Sequence, residues 1–342
     1  MAGERTASMS TVRRLSDYEG DYNLYGVDIE YDYDLDAIIA HDIANDQDFM
    51  EAIAKEVLPN HKVSLRAPDF GCSAFRVHAA DGTVLMGRNY DFRDDTSALM
   101  VRTTPEDGYA AIAFCALNTI MGDNVADAGE VNRAGCLFGP FASYDGINEK
   151  GVSIAVLTLD SEPTDQKTGK PVINTSLAIR LVLDRAASTQ EAVDLLSSYD
   201  MHAAAGRDYH FFINDAQGDS RVVEYDPLDE NRSLRATPLR QTTNYYALYP
   251  EQVKPNQRNG IYGHGLERAL AIEAVLDAHE DDADEDVAWE ALRASSQDPN
   301  PHDITSNTQW SIVYDNTKLT AGIALRRDWD NIIHYDLKAE IR

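Results

Sequence analysis

Residues 71–92 read GCSAFRVHAADGTVLMGRNYDF and carry the clearest structural signal in the chain. Apolar residues alternate loosely on both sides of Asp81-Gly82, a dipeptide that favours a tight turn between antiparallel strands. The two arms are nearly equal, so the predicted hairpin starts one strand at Cys72 and returns Arg88 and Asp91 towards the same end. A thiol, a guanidinium and a carboxylate are thereby gathered locally. The alternative is that Arg88 and Asp91 form an ordinary surface ion pair, which contributes little.

A nucleophilic cysteine needs a base, and the sequence offers no evident histidine for Cys72. His78 follows on the same strand, where alternation gives it no special reason to reach the thiol, and the other histidines form no motif. Hydrolysis of the Gly71–Cys72 bond would supply a different base. A free α-amino group has a pKa of about 7.7–8.0 and accepts a thiol proton at neutral pH. We therefore predict cleavage before Cys72, which would make it an N-terminal nucleophile.

The cysteine count supports the choice of Cys72 as the reactive thiol. The chain has 3 cysteines, too few and too scattered for a disulfide framework or a zinc site. Cys115 lies inside the apolar run YAAIAFCAL and is predicted to be a small buried residue. Cys136 lies in a glycine-rich segment and is predicted to be structural as well.

Strand and helix patterns alternate in blocks along the rest of the chain. Residues 118–147 lack periodicity and predict a functional loop or lid. Residues 1–34 are acidic and rich in tyrosine and predict a loose arm or an extended wrap. Residues 35–58 predict one helix ended by Pro59. Further strands are predicted at 109–117, 151–159, 209–215, 220–226, 308–315, 320–328 and 331–337, and helices at 174–188, 189–199, 265–279 and 287–295. This order suits sheets packed together with helices outside.

Composition and charge restrict the class of partner. The formal net charge is −28, so nucleic acid and anionic membrane surfaces are not expected partners. Hydrophobic residues make up 43% of the chain, and no run of about 18 apolar residues predicts a transmembrane helix. The first 20 residues have no apolar core of a secretory signal, so a cytoplasmic location is expected.

A series of motifs spans about residues 71–337. They are Cys72, Asp81-Gly82, Gly87-Arg88-Asn89, Asp91, Asp145-Gly146-Ile147-Asn148-Glu149-Lys150-Gly151, His210, Val222-Val223-Glu224, Thr243-Asn244, Glu267-Arg268 and Thr308-Gln309-Trp310-Ser311. In order and spacing the series resembles the choloylglycine hydrolase and penicillin V acylase family of linear amide C–N hydrolases, whose wider relatives include acid ceramidase.

The resemblance implies a role for each site residue. Cys72 would supply thiolate and amine, Asp91 would orient the amine, and Arg88 would favour the anionic sulfur. Asn244 would donate to the oxyanion, with a backbone N–H near Thr158 as its partner. The remaining site residue, Arg268, would complete the charge network, the alternative being a salt bridge at the start of a helix.

The resemblance also implies fold and domains. It predicts an α+β fold, the αββα four-layer sandwich of N-terminal-nucleophile (Ntn) hydrolases with two mainly antiparallel sheets. Residues 1–71 would be a leader or pro-segment with one helix, and 72–342 the catalytic domain. Bile salt hydrolases carry Asn, and penicillin acylases Tyr, where this chain has Thr158. The acyl group is therefore left open and bile salts are not assumed.

The implied reaction is hydrolysis of a small N-acyl amide through an acyl-enzyme, with no metal or organic cofactor. Two alternatives stay open at this point: acyl transfer to an amine from the same acyl-enzyme, and an uncleaved, non-catalytic binding protein of the same fold. Whether the cut before Cys72 is autocatalytic is also left open. A homo-oligomer is expected by analogy with the family.

Overall fold

Two β-sheets form the centre of the molecule. The computed structural model describes residues 2–18, 22–41, 43–58, 71–121, 124–254, 262–303 and 305–340. Its strands are β1 (Arg13–Arg14), β2 (Leu24–Ile29), β3 (Gly71–His78), β4 (Val84–Asp91), β5 (Ala98–Thr103), β6 (Ala111–Ala116), β7 (Asp145–Asn148), β8 (Ser153–Leu159), β9 (Val172–Asn174), β10 (Asp200–His202), β11 (Asp208–Asn214), β12 (Ser220–Tyr225), β13 (Leu234–Pro238), β14 (Gln241–Thr242), β15 (Asn244–Tyr245), β16 (Gly263–His264), β17 (Thr308–Asp315), β18 (Thr320–Leu325) and β19 (Ile333–Asp336). One sheet has the order β1-β2-β5-β6-β7-β8-β11-β12-β13, and the other has the order β14-β3-β4-β17-β18-β19. Two short pairs, β9 with β10 and β15 with β16, complete the set.

Helices cover the outer faces of both sheets. They are α1 (Ala2–Thr11), α2 (Leu35–Ile39), α3 (Asp46–Val57), α4 (Leu117–Ile120), α5 (Glu130–Cys136), α6 (Thr175–Arg185), α7 (Thr189–Ser197), α8 (Leu266–Ala278), α9 (Glu285–Ser295) and α10 (Leu337–Glu340). The pair α6 and α7 packs on the nine-stranded sheet, and α8 and α9 pack on the six-stranded sheet. The predicted α+β, four-layer αββα arrangement is therefore confirmed. In the described part of the chain no helix is long and apolar enough to cross a membrane.

Strand alternation explains the layers. Successive side chains of a strand point to opposite faces, so a strand between two layers is apolar on both. In β3, Cys72 and Ala74 belong to the core between the sheets, whereas Phe75 and Val77 pack under α8 and α9. Burial on both faces is why the strand is a nearly continuous apolar run instead of a clean alternation.

The predicted hairpin is confirmed. Strands β3 and β4 pair antiparallel, with Cys72 opposite Tyr90 and Gly71 opposite Asp91. In the turn, Gly82 has a φ of 87°, a left-handed conformation that favours glycine, and Asp81 Oδ1 accepts a hydrogen bond from Thr83 N at 2.9 Å.

The leader is more structured than the sequence predicts. The single helix predicted at 35–58 is wrong, because the structure has two helices there, α2 and α3. Asn45 starts the second one, since its side chain accepts hydrogen bonds from Gln47 N and Asp48 N. Residues 59–70, which include the predicted helix stop at Pro59, lie outside the described part.

The predicted loose arm at residues 1–34 is also wrong. It contains α1 and β2, and β2 pairs in parallel with β5 from Leu24 opposite Ala98 to Ile29 opposite Thr103. The short apolar segment LYGVDI forms the strand, and its acidic, tyrosine-rich flanks hide it from pattern analysis. Leader and remainder thus share one sheet and one hydrophobic core.

The predicted long loop at 118–147 is wrong for the same kind of reason. It holds the end of α4, helix α5, the 3₁₀ turn Gly139–Phe141 and strand β7. These elements are too short for a detectable period. The buried side chains of Leu137, Phe138 and Phe141 anchor the segment to the core.

Two helix starts follow the sequence closely. Asn174 Oδ1 accepts from Leu177 N and begins α6, and Ser188 Oγ accepts from Glu191 N and begins α7. A Glu191 carboxylate oxygen accepts from Ala187 N at 2.8 Å, one residue before the N-cap N–H that this position contacts in a capping box.

Candidate active site

Cys72 lies at the start of β3 and is fully buried. Its backbone nitrogen and its carbonyl oxygen both hydrogen-bond other predicted site residues. Cys72 N donates to Asn244 Oδ1 at 2.7 Å, and Cys72 O accepts from Arg268 Nη1. The nitrogen that a cut would turn into an amine is therefore already placed against a polar side chain.

Asn244 joins the two sheets at this point. It belongs to β15, which pairs with β16, and its Oδ1 accepts from Cys72 N and from Arg268 Nη2, the latter at 2.8 Å. Its Nδ2 donates to Thr158 O at 2.8 Å, at the end of β8. All hydrogen-bonding atoms of this buried amide are thus directed at other predicted site residues.

Arg268 enters the site from the first turn of α8. It contacts Cys72 O and Asn244, and its Nη1 lies 3.6 Å from Asp91 Oδ2. The preceding Gly265 has a φ of 87°, and a Cβ atom there would collide with the Arg268 guanidinium. Arg268 forms a salt bridge, as the structural alternative proposed, and this salt bridge lies inside the site.

Replacement of Gly265 by alanine should therefore disturb the site without touching Cys72. The new side chain strains the backbone and displaces the guanidinium, so we expect the melting temperature and the rate of amide hydrolysis to fall together. Differential scanning fluorimetry and a hydrolysis assay measure both. A Gly3→Ala variant is the control, because a Cβ atom at Gly3 meets nothing within 4 Å. Unchanged hydrolysis in Gly265→Ala would contradict the role of this glycine.

Asp91 ends β4 opposite Gly71 and is buried. Its Oδ1 accepts from Thr308 Oγ1 at 2.6 Å, and its Oδ2 accepts from Gln297 Nε2 at 2.8 Å. Together with the guanidinium of Arg268, these donors hold the carboxylate beside the Gly71–Cys72 peptide bond. Neither Gln297 nor its contact could be predicted from spacing along the chain.

Arg88 does not pair with Asp91. An odd separation of three residues on one strand puts the two side chains on opposite faces. Arg88 faces the other sheet, where Nε donates to Asp145 Oδ2 at 3.2 Å and Nη2 donates to Val156 O at 3.1 Å. The alternative of a surface Arg88–Asp91 pair is therefore wrong.

Asp145 is the first residue of a quoted family-like motif and had no predicted role of its own. It starts β7, is fully buried, and also accepts a hydrogen bond of 2.5 Å from the Tyr314 hydroxyl. Its signal was the Asp145-Gly146 pair at the head of the family-like motif. Asp145 therefore holds the Arg88 side chain between the two sheets.

Burial controls the state of the thiol. It raises the pKa of the Cys72 thiol to about 11, against the opposing influence of the Arg88 charge. In the uncut chain the sulfur is therefore a neutral thiol at pH 7. Among the described residues, no histidine ring nitrogen hydrogen-bonds the sulfur of Cys72.

The raised pKa predicts low reactivity of Cys72 before any cut. Because the thiolate is the reactive form, the uncut chain at pH 7 should be alkylated by iodoacetamide at least about 100-fold more slowly than a cysteine in urea-unfolded chain. The rate should rise as the pH approaches 11. Peptide mapping after timed alkylation measures each cysteine separately. Rapid modification of Cys72 at pH 7 in the uncut, folded chain would contradict a buried neutral thiol.

Two further histidines lie near the site: His264 was not singled out from the sequence, and His210 was quoted only as part of the resemblance, without a role. His264 lies opposite Asn244 in the β15–β16 pair, and its Nδ1 is 2.8 Å from Asp160 Oδ2. His210 contacts Thr243 O, next to Asn244. Both are buried. No group of three or more His, Cys, Asp or Glu side chains in the described residues could hold a metal ion.

Part of the chain matches a known protein family. Residues 72–230 match the family model described as linear amide C-N hydrolases, choloylglycine hydrolase family. The predicted resemblance is confirmed over these residues. The match begins at Cys72, the first residue after the predicted leader, residues 1–71. The matched family consists of hydrolases of linear amide C–N bonds, which is the enzyme class that the sequence predicts.

Solved structures agree with the fold. Two variants of conjugated bile acid hydrolase from Clostridium perfringens superpose with TM-scores of 0.57 and 0.58, at 17% identity over 78% of this chain and 93% of theirs. Penicillin V acylase from Agrobacterium tumefaciens gives a TM-score of 0.56 at 17% identity, over 78% of this chain and 86% of its own. The fold is therefore the Ntn-hydrolase sandwich, as predicted. No curated protein sequence matches the chain.

Proposed function

We propose that the chain is the precursor of a cysteine amidase, activated by cleavage between Gly71 and Cys72. The observation that supports this most directly is the position of Cys72 N, which contacts Asn244 Oδ1 at 2.7 Å. A cut would turn this amide nitrogen into an α-amine without moving it away from Asn244 or from the carboxylate of Asp91. Thiol, base and orienting groups would then belong to one compact set.

The first half of the reaction follows from these positions. The α-amine of Cys72 accepts the thiol proton, and the sulfur attacks the substrate carbonyl carbon. The oxyanion that forms takes the Nδ2 donor of Asn244, which in the uncut chain donates to Thr158 O. A backbone N–H near Thr158 is the second donor. The ammonium group of Cys72 then protonates the leaving amine, and an acyl-thioester remains.

Water completes the cycle. The α-amine, neutral again, removes a proton from a water molecule, the hydroxide attacks the thioester carbonyl, and the carboxylic acid leaves with regeneration of the thiol. The guanidinium of Arg88, held by Asp145, favours the anionic sulfur in both halves. Each proton taken up by the amine is returned within the cycle, so no metal or organic cofactor is required.

The proposed substrate is a small N-acyl amide with an apolar acyl group. The two kinds of similar structure are named for bile acid conjugates and for penicillin V, which share an acyl amide but differ in the acyl part. Thr158 replaces the residues that those families carry near the oxyanion, so the acyl preference is left to experiment. Cys72 is fully buried in the uncut chain, so the groups that cover its sulfur must move before any substrate reaches it.

A panel of amides tests the proposal. The cut protein is incubated with bile conjugates, phenoxyacetyl amides and fatty N-acyl amino acids, and the released amine is measured. Adding a second amine separates hydrolysis from acyl transfer, because transfer consumes the acyl group without forming acid. Release of amine from at least one class supports the amidase. A protein that stays uncut and binds these amides without turnover would establish the non-catalytic alternative.

The leader should stay bound after the cut. Strand β2 hydrogen-bonds along its whole length to β5, Leu24 and Val27 are fully buried, and Asp28 forms an ion pair with Arg102 at 3.0 Å. These contacts do not depend on the Gly71–Cys72 bond. We expect the two fragments to co-elute in native size-exclusion chromatography and to separate in 6 M guanidinium. Loss of residues 1–71 from the active, native fraction would contradict this prediction.

Two further expectations belong to the same proposal. A cytoplasmic location and a homo-oligomeric state are proposed, on the composition and on the family resemblance respectively. Cell fractionation and light scattering of the purified protein test them independently of the chemistry at Cys72.

A further inference from the structure

A fully buried histidine–glutamate pair lies beside the segment that carries Asn244. His210, on β11, has Nε2 at 2.8 Å from Thr243 O and Nδ1 at 3.3 Å from Glu224 Oε2 on β12. Both side chains have no exposed surface. Polar side chains that are fully buried need hydrogen-bond partners, and the partners of this pair include the backbone next to Asn244.

The chemistry of a carbonyl group decides which atom donates in the contact between His210 and Thr243. A carbonyl oxygen only accepts, so Nε2 of His210 donates to Thr243 O. Glu224 accepts backbone N–H donors as well, from Ala247 N to Oε2 at 3.0 Å and from Leu248 N to Oε1 at 2.7 Å. Glu224 Oε2 also lies 3.3 Å from His210 Nδ1, so one carboxyl group contacts the ring and both backbone amides.

The pair therefore hydrogen-bonds the backbone on both sides of Asn244. His210 holds Thr243, immediately before Asn244, and Glu224 holds Ala247 and Leu248, immediately after Tyr246. Each of these bonds ends on the backbone of the chain on either side of Asn244. The backbone of Asn244 is thus pinned from two sides by groups on a different sheet from its neighbour Cys72.

We infer that the His210–Glu224 pair is a positioning element for Asn244, which sets where the Nδ2 donor points. This inference rests on the proposed function for its catalytic consequence. A donor for an oxyanion is effective only within a few tenths of an ångström of its place, so a loosened segment lowers turnover while the substrate still binds. His210 and Glu224 do not themselves contact the substrate.

Steady-state kinetics of the cut protein on a phenoxyacetyl anilide test the inference. His210→Ala should lower kcat about 10- to 100-fold with KM changed by less than about 2-fold. His210→Gln, which keeps a donor for Thr243 O, should recover at least about fivefold of that loss. The matched control is Asn214→Ala on the same strand, where a buried amide bonds Asn316 at the far end. The control should lower thermal stability but leave kcat within about 2-fold.

A double variant and an exchange measurement separate positioning from general damage. In the Asn244→Ala background, His210→Ala should cost less than about 2-fold further in kcat, because its effect passes through Asn244. Losses that multiply would overturn the inference. Hydrogen–deuterium exchange of residues 243–248 should accelerate in His210→Ala and Glu224→Gln but not in the control. Unchanged exchange at residues 243–248 would overturn the positioning role of the pair, even if the wild-type protein proves inactive. Failure of this inference is therefore distinguishable from failure of the proposed function.

Discussion

Replacement of Cys72 by alanine should abolish amide hydrolysis, with a loss on the order of 10⁴-fold or more. The sulfur of this residue forms the acyl bond, so alanine removes the nucleophile and leaves the proposed base, the backbone nitrogen, with no thiol to activate. Hydrolysis of phenoxyacetyl amides, followed by amine release, measures the effect. The fold should survive, because the side chain contributes only one small buried group to the core between the sheets.

The control for Cys72→Ala is Cys115→Ala. Cys115 is equally buried but lies on β6, in an apolar strand of the other sheet. We expect the control to hydrolyse amides at nearly the wild-type rate, with at most a modest fall in melting temperature. Hydrolysis by Cys72→Ala that matches the wild type would end the assignment of the nucleophile.

Replacement of Asn244 by alanine should lower kcat by about 10²–10³-fold, equivalent to about 2.7–4 kcal/mol in the barrier. The amide donor acts on charge that develops only in the transition state, so KM should change little. The measurement is steady-state kinetics on protein whose cut has first been verified by mass, because Asn244 also contacts the backbone nitrogen of Cys72 before cleavage.

Asn244→Asp separates the two functions of this side chain. It keeps an oxygen that can accept from Cys72 N and Arg268, but it loses the Nδ2 donor that faces Thr158 O. We expect nearly as large a fall in kcat as for alanine. A variant that raises KM and keeps kcat would show that Asn244 binds the substrate and does not stabilise an oxyanion.

The hairpin at 71–92 could be predicted because its signals are local, whereas the four-layer fold was implied by the family resemblance. A turn dipeptide, strand arms of equal length and helix caps act over a few residues. The family resemblance identified site residues distant in sequence, such as Asn244 and Arg268. Both contact the backbone of Cys72 in the structure.

The partners of the charged groups could not be predicted, because they come from other layers. Arg88 pairs with Asp145 across the two sheets, and Asp91 is held by Gln297 and Thr308. Alternation along β4 puts residues 88 and 91 on opposite faces, which is enough to exclude their pairing. His210 and Glu224 both belong to the quoted family-like motifs, but neither was assigned a role at the site.

The leader was the largest structural error. Its strand β2 has six residues and lies among acidic and tyrosine-rich neighbours, so its periodicity is too short to separate from an arm. Pairing in parallel with β5 stabilises it, and a parallel partner distant in sequence leaves no local trace. The error changes the expected state of the leader, from a loose arm to a segment that contributes a strand to the nine-stranded sheet.

Intact mass spectrometry of the active protein is the most direct test of the central claim, that the base is the α-amine of Cys72. Fractions with increasing extents of cleavage are assayed side by side for amide hydrolysis. We predict fragments that divide between Gly71 and Cys72, and a rate proportional to the cut fraction. A homogeneous, uncut 342-residue chain that hydrolyses amides at the full rate would contradict the mechanism.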